Sequence, residues 1–458
     1  MKFINKIFVT ILFCFVVLTA EAQSDMGLYG LSIVPQSNFS NPAFMPEGKT
    51  VIGIPFISSI SNSTYSSSFT FNDIFSEKDG SDSLYLNLTD LASKTNTNNY
   101  VTEYFENDII YLGFKIKEKN YLNVGIRNRL YSRAIYSTDL VKLLWNGNAN
   151  YIGQQLNLSN TFINHDHFIS YYVGYSFMVG EKIKLGVRAN LNQGLSSIQT
   201  AENQILMETA SHDQNVFVVN ANTIFTVNTS GMATDSTEPD KTASEYIFNF
   251  QNIGFSVDFG ADFTVSERIK LNFSVVDLGF INWKSGLKSY ESKSDNIEFS
   301  GIYADISTTE DLFTAYADSL IELIEINEFE QNFKTRLPTR VFAGIEYYGL
   351  DKSNRFSAVL SGTFLKNNFS PAVSVGYDKT VSEHFTFKVT YSYLKYAPVN
   401  FGAGFVLNFS PVQFYLITDN IVSAFNWSSQ KYINFRFGIN LIFNKKSGIK
   451  KGEPILNK

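Results

Sequence analysis

The stretch TVSERIKLNFSV, from Thr264 to Val275, is a short polar turn followed by strict alternation of apolar and polar residues. A near-copy, TVSEHFTFKVTY, runs from Thr380 to Tyr391, and looser copies begin at Phe114 and Phe177. Side chains at every second position share one face of a β-strand, so each copy predicts a hairpin with one apolar and one polar face. The fold therefore depends on where so many apolar faces are buried.

The last predicted strand, residues 432–443, shows the alternation most clearly. Its large apolar residues are separated by Asn, Arg and Gly, which is the pattern of a strand between two different environments. We predict that polar changes on its inward face are tolerated. The expected outward residues are Phe435, Phe437 and Leu441, and the expected inward residues are Arg436 and Asn440.

The predicted strands run about nine to twelve residues, which exceeds the usual strand of a soluble sandwich and matches a tilted bilayer crossing. Their polar faces are rich in Gly, Asn and Ser. Their apolar faces draw on 42 Phe and 25 Tyr residues. Large aromatic side chains suit contact with lipid, and small polar ones suit a hydrated lumen. The sequence thus predicts an all-β fold, a transmembrane antiparallel β-barrel.

Fourteen barrel strands are predicted, joined alternately by short turns and long excursions. An even number of strands, short periplasmic turns and long outer loops are typical of outer-membrane barrels and place both termini in the periplasm. An additional strand at 216–227 belongs either to the barrel or to a loop. The predicted strands are 51–60, 109–117, 121–131, 168–178, 182–195, 253–264, 268–277, 340–349, 355–366, 371–379, 384–394, 399–409, 411–418 and 432–443, and the long excursions are 61–108, 132–167, 196–252 and 278–339.

The first 22 residues have the features of a secretory signal peptide. Lys2 and Lys6 precede an apolar run from Ile7 to Leu18, and the small residues before position 23 predict cleavage after Ala22. Cys14, the only cysteine, lies within this leader, so the exported chain would have no thiol and no disulfide. We therefore expect a protein located in the cell outer membrane.

The rest of the chain divides into three predicted parts. Residues 23–50 form an N-terminal periplasmic segment, 51–443 the transmembrane barrel, and 444–458 a lysine-rich periplasmic tail. Helical spacing of apolar residues predicts small helices in the outer loops at 138–145 and 310–333.

Few residues offer catalytic or metal-binding chemistry. The formal net charge is −6, which argues against a nucleic-acid partner. There are four histidines, no G-x-S-x-G elbow and no cofactor motif. His165 and His167 share one strand face and would hold a metal only with a third ligand from elsewhere. We expect no enzyme activity, no cofactor and no metal site.

Charged residues on the predicted inward faces indicate what kind of lumen the barrel has. Isolated charges are costly in a narrow lumen, so pairing across it is expected. Their mixed signs indicate neither a simple anion pore nor a cation pore, and a packed polar interior and a permeation path both remain open. The lumen-facing candidates are Arg127, Arg129, Arg133, Lys184, Arg188, Asp258, Asp262, Lys270, Glu346, Lys388 and Arg436.

Three stretches resemble an uncharacterised family of Bacteroidota-type outer-membrane β-barrels. They are Ser32–Ser58, Asn146–Asn160 together with Val173–Leu191, and Arg336–Tyr348, and the resemblance covers nearly all of the chain after the leader. The Asn41-Pro42-Ala43 tripeptide before the first strand is similar to the N-terminal NPA element of FadL-like fatty-acid transporters and of PorV-like barrels associated with type IX secretion.

In FadL-like transporters the NPA segment belongs to a periplasmic hatch that folds up inside the barrel. The resemblance implies that residues 23–50 form such a plug, with Asn41, Pro42 and Ala43 at its turn. The sequence departs from those transporters after Ala43, where Phe44-Met45-Pro46-Glu47 replaces Gly-Leu-Ala. Alternatively, Asn41-Pro42 only begins a turn before the first strand.

Two functions remain for the barrel. One is passive transport of a small hydrophobic ligand across the outer membrane, with lipid around the barrel. The other is a structural scaffold in a secretion or envelope-assembly machine, with secretion or envelope proteins as partners. A lateral opening or inward kink in the wall would favour transport, whereas an exposed apolar patch on the outer loops would favour the scaffold.

Overall fold

The computed structural model describes residues 26–77, 84–86, 91–96, 99–213, 216–232, 250–299, 325–366 and 368–444. Its helices are α1 (Phe71–Ile74), α2 (Thr138–Asn146) and the 3-10 turns Pro35–Phe39, Leu91–Lys94, Ala149–Tyr151, Ile421–Ala424 and Trp427–Ser429. Its strands are β1 (Thr50–Gly53), β2 (Ile60–Ser66), β3 (Phe75–Glu77), β4 (Leu84–Leu86), β5 (Asn99–Ile116), β6 (Asn120–Tyr136), β7 (Gln155–Asn157), β8 (Phe162–Val179), β9 (Ile183–Asp213), β10 (Val216–Ser230), β11 (Ile253–Thr264), β12 (Ile269–Trp283), β13 (Leu287–Phe299), β14 (Asn327–Phe329), β15 (Phe333–Arg336), β16 (Thr339–Tyr348), β17 (Asn354–Leu365), β18 (Asn368–Ser382), β19 (Phe385–Leu394), β20 (Ala397–Phe409), β21 (Val412–Thr418) and β22 (Tyr432–Phe443).

Fourteen strands form a closed antiparallel barrel, as the sequence predicts. The first wall strand is split into β1 and β2, and both pieces pair with β5 on one side and β22 on the other. The other wall strands are β6, β8, β9, β11, β12 and β16 to β22 in chain order. Closure is made by Val51 opposite Ile442 and Ile60 opposite Phe437.

The two ends of the barrel differ in their connections. At one end, the short-turn end, tight turns join β5 to β6, β8 to β9 and β11 to β12, whereas the extended connections lie at the other, the long-loop end. The wall begins and ends at the short-turn end, where Lys49 N donates to Phe443 O at 3.1 Å. The alternation of short and long connections is therefore as predicted.

Several wall strands extend further toward the long-loop end than predicted. β5 begins at Asn99 and β6 continues to Tyr136, inside segments expected to be loops. The alternation of apolar and polar residues weakens beyond the apolar belt, but the backbone hydrogen bonds between neighbouring strands continue. Strand length in this barrel is thus set by backbone pairing as well as by side-chain pattern.

Residues 216–227 lie in β10, which is a strand but not one of the fourteen wall strands. β10 pairs with the distal part of β9, from Ser197 onward, and with β13. The wall partners of β9 are β8 and β11, and β11 pairs with it up to Gln193. The three strands β9, β10 and β13 therefore form a sheet that extends the wall beyond the barrel.

The helix predicted at 138–145 is confirmed as α2, and the Ser137 hydroxyl accepts a hydrogen bond from Leu140 N at 3.0 Å. Of the segment 310–333, residues 310–324 lie outside the described residues. The helix prediction is wrong for 325–333, because β14 pairs there with β13 instead.

The leader and the tail from residue 445 also lie outside the described residues. Neither helix in the described part of the chain is long and apolar enough to cross a membrane.

The outward face of the wall is a belt of large apolar side chains. In β22 the residues alternate between buried inward positions and half-buried or exposed outward ones, so Phe435 and Phe437 point out and Arg436 points in. Each of the following outward side chains has at least 37% of its surface exposed: Phe114, Val173, Val187, Phe259, Phe273, Phe356, Val375, Val389, Phe401 and Phe435.

We predict that Phe437→Arg sharply lowers the yield of folded barrel, since an arginine on the lipid face near mid-membrane costs about 2–4 kcal/mol. Phe437→Leu keeps an apolar outward side chain and is the matched control, expected to fold like the natural protein. The measurement is the fraction of membrane-embedded protein whose gel migration changes on boiling. Equal fractions for the two variants would contradict the assignment of faces.

Candidate functional site: the plugged lumen

Residues 26–49, which we name the plug, lie inside the barrel. The segment 26–44 is buried almost throughout, although it contains one short 3-10 turn and no longer helix or strand. It reaches β1 at the short-turn end, so the plug and the first wall strand are continuous. Its backbone polar groups are satisfied partly within the plug, as by Leu31 N donating to Leu28 O at 3.0 Å, and partly by inward-facing wall residues.

Asn41, Pro42 and Ala43 lie against the wall between β8 and β12. The Asn41 amide donates to the backbone oxygens of Ala261 and Phe273, each at 3.3 Å, and its Oδ1 accepts from Ala43 N at 2.9 Å. The tripeptide thus forms a tight turn fastened to two neighbouring strands.

Two glycines of the wall make this close approach possible. A Cβ at Gly186 would collide with the Pro42 carbonyl, and one at Gly260 would collide with Asn41 Oδ1. Ser176 donates to Pro42 O at 2.6 Å from the adjacent strand. The wall therefore lacks side chains where the plug backbone is nearest.

Phe39 and Asn38 of the plug pack against arginines of the lumen. The Arg127 guanidinium lies 3.8 Å from the centre of the Phe39 ring. Arg188 donates to Asn38 O at 2.8 Å and to Asp258 Oδ2 at 3.1 Å. A guanidinium has five N–H donors and favours aromatic faces, which suits it to joining a wall carboxylate to a plug backbone.

Glu106 is the centre of the buried charges. Its carboxylate lies 2.8 Å from Arg127, 3.2 Å from Arg129 and 3.0 Å from Arg436, and its side chain is 9% exposed. Arg340 approaches to 4.0 Å. One carboxylate thus faces four guanidinium groups.

Asp277 completes the group that we name the central network: Glu106, Asp277, Arg127, Arg129, Arg340 and Arg436. Its oxygens lie 2.6 Å from Arg129 and 3.0 Å from Arg340. Asp277 has a φ of 63° at an irregularity between β11 and β12, and its N–H donates to Asp258 Oδ1 at 2.7 Å. The bulge turns this carboxylate into the lumen.

A second group of charges lies nearer the short-turn end. Arg355 pairs with Glu346 at 3.2 Å and with Asp378 at 2.7 Å, and it also donates to Gly30 O of the plug. Lys388 donates to Tyr29 O at 3.1 Å. These basic side chains connect wall carboxylates to plug carbonyls.

All eleven predicted lumen residues are buried or half-buried in the barrel. Beyond those already described, Arg133 lies over the Tyr100 ring at 4.0 Å and Lys184 pairs with Asp262 at 3.5 Å. Lys270 lies over the Tyr348 ring at 5.1 Å.

Several partners of these residues are not among those predicted from the sequence. Glu106 lies in a segment predicted to be a loop, and the one-residue bulge at Asp277 interrupts the alternation. Alternation of inward and outward residues over the whole of β5, Asn99–Ile116, places Glu106 on the inward face. The missed residues are Glu106, Asp108, Asp277, Arg340, Arg355 and Asp378.

His165 and His167 each lie beside a polar side chain of a neighbouring strand. His167 Nε2 is 2.8 Å from Asn128 Oδ1, while Asp166 points to the other face and accepts from Ser197 at 2.8 Å. Within the described ranges, no group of three or more His, Cys, Asp or Glu residues is placed to hold a metal ion.

The fold and its filled lumen define a class, a β-barrel plugged by its own N-terminal segment. The chain belongs to the Family of unknown function (DUF5723), whose profile matches residues 42–419, and the resemblance to an uncharacterised family is thereby confirmed. No curated protein matches the chain.

Among solved structures, the chain is similar to the toluene transporter TbuX of Ralstonia pickettii, at 9% identity, 90% coverage of this chain, 95% of that one and a TM-score of 0.42. A FadL homologue of Pseudomonas aeruginosa matches at 12% identity, 93% and 99% coverage and a TM-score of 0.43. The translocator domain of the autotransporter NalP of Neisseria meningitidis matches at 8% identity, 87% and 89% coverage and a TM-score of 0.30. None of these likenesses extends to a ligand or an activity.

We predict that Glu106→Gln lowers the free energy of unfolding by about 3–5 kcal/mol, because buried arginines lose their shared counter-charge. Glu103→Gln is the matched control on the same strand. Glu103 points outward and accepts a hydrogen bond from Thr64, which glutamine also accepts. Unfolding of the detergent-solubilised barrel in guanidinium chloride measures the free energy of unfolding of both variants. Equal decreases in that free energy would contradict the central role of Glu106.

Proposed function

We propose that this protein is an outer-membrane barrel that passively transports small hydrophobic molecules, with the plug acting as a hatch. It would reach the outer membrane after cleavage of the N-terminal leader. The apolar outward belt would contact lipid, and the long-loop end would face outside. No catalytic step is part of this proposal.

The observation that carries the proposal is a continuous apolar cluster from the long-loop end down to the plug. Its outer members, at the ends of wall strands, are Tyr65, Tyr100, Leu394 and Tyr432. Its inner members include Met26, Tyr29 and Phe44 of the plug. Each of these side chains is at most 4% exposed, so the cluster is closed in this structure. It would offer an apolar surface to a solute only after the plug moves aside, and apolar solutes gain free energy by leaving water for such a surface.

The contacts that hold the plug suit a part that moves. They include the reciprocal pair between the Gln36 and Asn440 amides, at 2.8 and 2.9 Å, and the bond from Gly27 N to Asp419 at 2.6 Å. Neutral hydrogen bonds exchanged for water contribute only about 0.5–1.5 kcal/mol each, and bonds to charged groups about 1.5–3 kcal/mol, so these contacts can separate without disrupting the wall.

The wall itself is kinked where the first strand is interrupted. Residues 54–59 separate β1 from β2, with Phe56 exposed outward at 60% and at a φ of 64°. Ser58 and Ser59 point inward, and Arg436 donates to Ser59 Oγ at 2.8 Å. The break between β1 and β2 would give the wall a place to open laterally, and so supports transport over a purely structural barrel.

The scaffold function remains the second candidate because one outer loop carries an apolar patch. In the loop after β21, Phe425 is 85% exposed, Trp427 53% and Val422 43%. Patches of exposed aromatic residues mark protein or membrane contacts. Phe425→Ser with Trp427→Ser should leave hydrophobic uptake unchanged if transport is the main function.

We predict that locking the plug to the wall blocks uptake. In a Gly27→Cys, Asp419→Cys variant the two side chains are adjacent, since a Cβ at residue 27 would lie 3.9 Å from Asp419 Cγ. Cells expressing the oxidised variant should take up N-phenylnaphthylamine no faster than cells without the barrel, and dithiothreitol should restore uptake. The reduced protein is the matched control.

If the oxidised variant took up the probe as fast as the same variant after dithiothreitol treatment, the hatch would be excluded. Uptake by the natural protein no greater than in cells without it would exclude transport altogether.

A further inference from the structure

A separate cavity of about 520 Å³ lies at the short-turn end of the lumen. One side is the plug loop from Gly30 to Ile33, and the other is formed by wall strands and the turns that follow Lys352 and Ser382. It lies on the opposite side of the plug from the apolar cluster, so the hydrophobic route proposed above does not account for it.

Three basic and three acidic side chains line this cavity, so their formal charges balance: Lys270, Lys352, Arg355, Glu47, Asp378 and Glu383. Glu47 and Glu383 are exposed at its edge, so the paired and unpaired charges further in matter more. Lys184 pairs with Asp262, and Arg355 pairs with Glu346 and Asp378. Half-buried Lys270, by contrast, has no carboxylate within 4.0 Å among the described residues, although Glu346 is its cross-strand neighbour.

Lys352, at the edge of the cavity, is exposed, so solvent compensates its charge. Lys270 is half-buried, and an ammonium in that position without a close counter-charge is unfavourable, so Lys270 favours a negatively charged oxygen atom from solution.

A polar amide on the other side of the cavity also lacks a protein partner. Asn408 is 8% exposed, and its Nδ2 has no hydrogen-bond acceptor among the described residues. Its Oδ1 is already used, since it accepts from Gln413 Nε2 at 2.8 Å. Buried amide donors are nearly always paired, so an acceptor atom from a ligand would complete this group.

We propose that this cavity binds a small water-soluble organic anion, whose carboxylate or phosphate group is held by Lys270 and whose further oxygen accepts from Asn408. Hydroxyl groups of Thr380, Ser382 and Thr386 line the same space and suit a ligand rich in oxygen atoms. Binding takes place from the short-turn end and does not require the plug to move. The site is therefore independent of the transported molecule.

The test is calorimetric titration of the purified detergent-solubilised barrel with succinate, with inorganic phosphate and with uncharged glycerol. The natural protein should bind at least one of the two anions and not glycerol, and the tighter anion identifies the head group. Lys270→Gln should weaken binding at least about tenfold, as expected for loss of a charge-assisted hydrogen bond. Lys182→Gln, which changes an exposed lysine in a turn at the same end, is the matched control and should bind normally.

A second variant separates ligand binding from damage to the fold. Asn408→Asp keeps the oxygen that accepts from Gln413 but replaces the free donor with a negative charge, so anion affinity should fall while heat-modifiable migration is retained. Absence of binding by the natural protein to both anions would overturn the proposal. Unchanged affinity in Lys270→Gln would overturn it as well.

Discussion

The shared carboxylate of Glu106 fixes the cross-section of this barrel. It lies on β5 and faces arginines of β6, β16 and β22, and through Arg129 and Arg340 it is connected to Asp277 on β12. The network therefore spans the lumen from the strands near closure to those on the far side. Transfer of each such ion from water costs several kcal/mol, and only close pairing offsets that cost. The plug packs against charges that the wall holds in place.

The barrel could be predicted from the sequence because the alternation of apolar and polar residues is a local pattern. Alternation in each strand depends only on neighbours two residues away, so the strand number, the direction of Arg436 and the hairpin turns could be inferred from one chain. Lengths were underestimated because backbone pairing in β5, β6 and β9 continues where the pattern fades.

The site was less predictable, because its geometry is not local. A bulge directs Asp277 inward, and no count of alternating residues finds it. Gly438 and Asn440 look interchangeable with other small or polar inward residues. In the structure a Cβ at Gly438 would collide with Ser58 O, and Asn440 bonds both Gln36 and Gln413. Polar changes there are thus constrained, contrary to the tolerance expected from alternation alone. The contact of Gly438 with Ser58 joins positions 380 residues apart, and that of Asn440 with Gln36 joins positions 404 residues apart.

The covalent link between the plug and the first wall strand has a consequence for assembly. Lys49 lies beside Phe443, and β1 follows it directly and closes against β22, the last strand to be synthesised. No completed ring has to be threaded by the N-terminal segment, because the strand that seals the barrel carries the segment with it. We therefore expect filling of the lumen and sealing of the wall to be coupled when this chain folds.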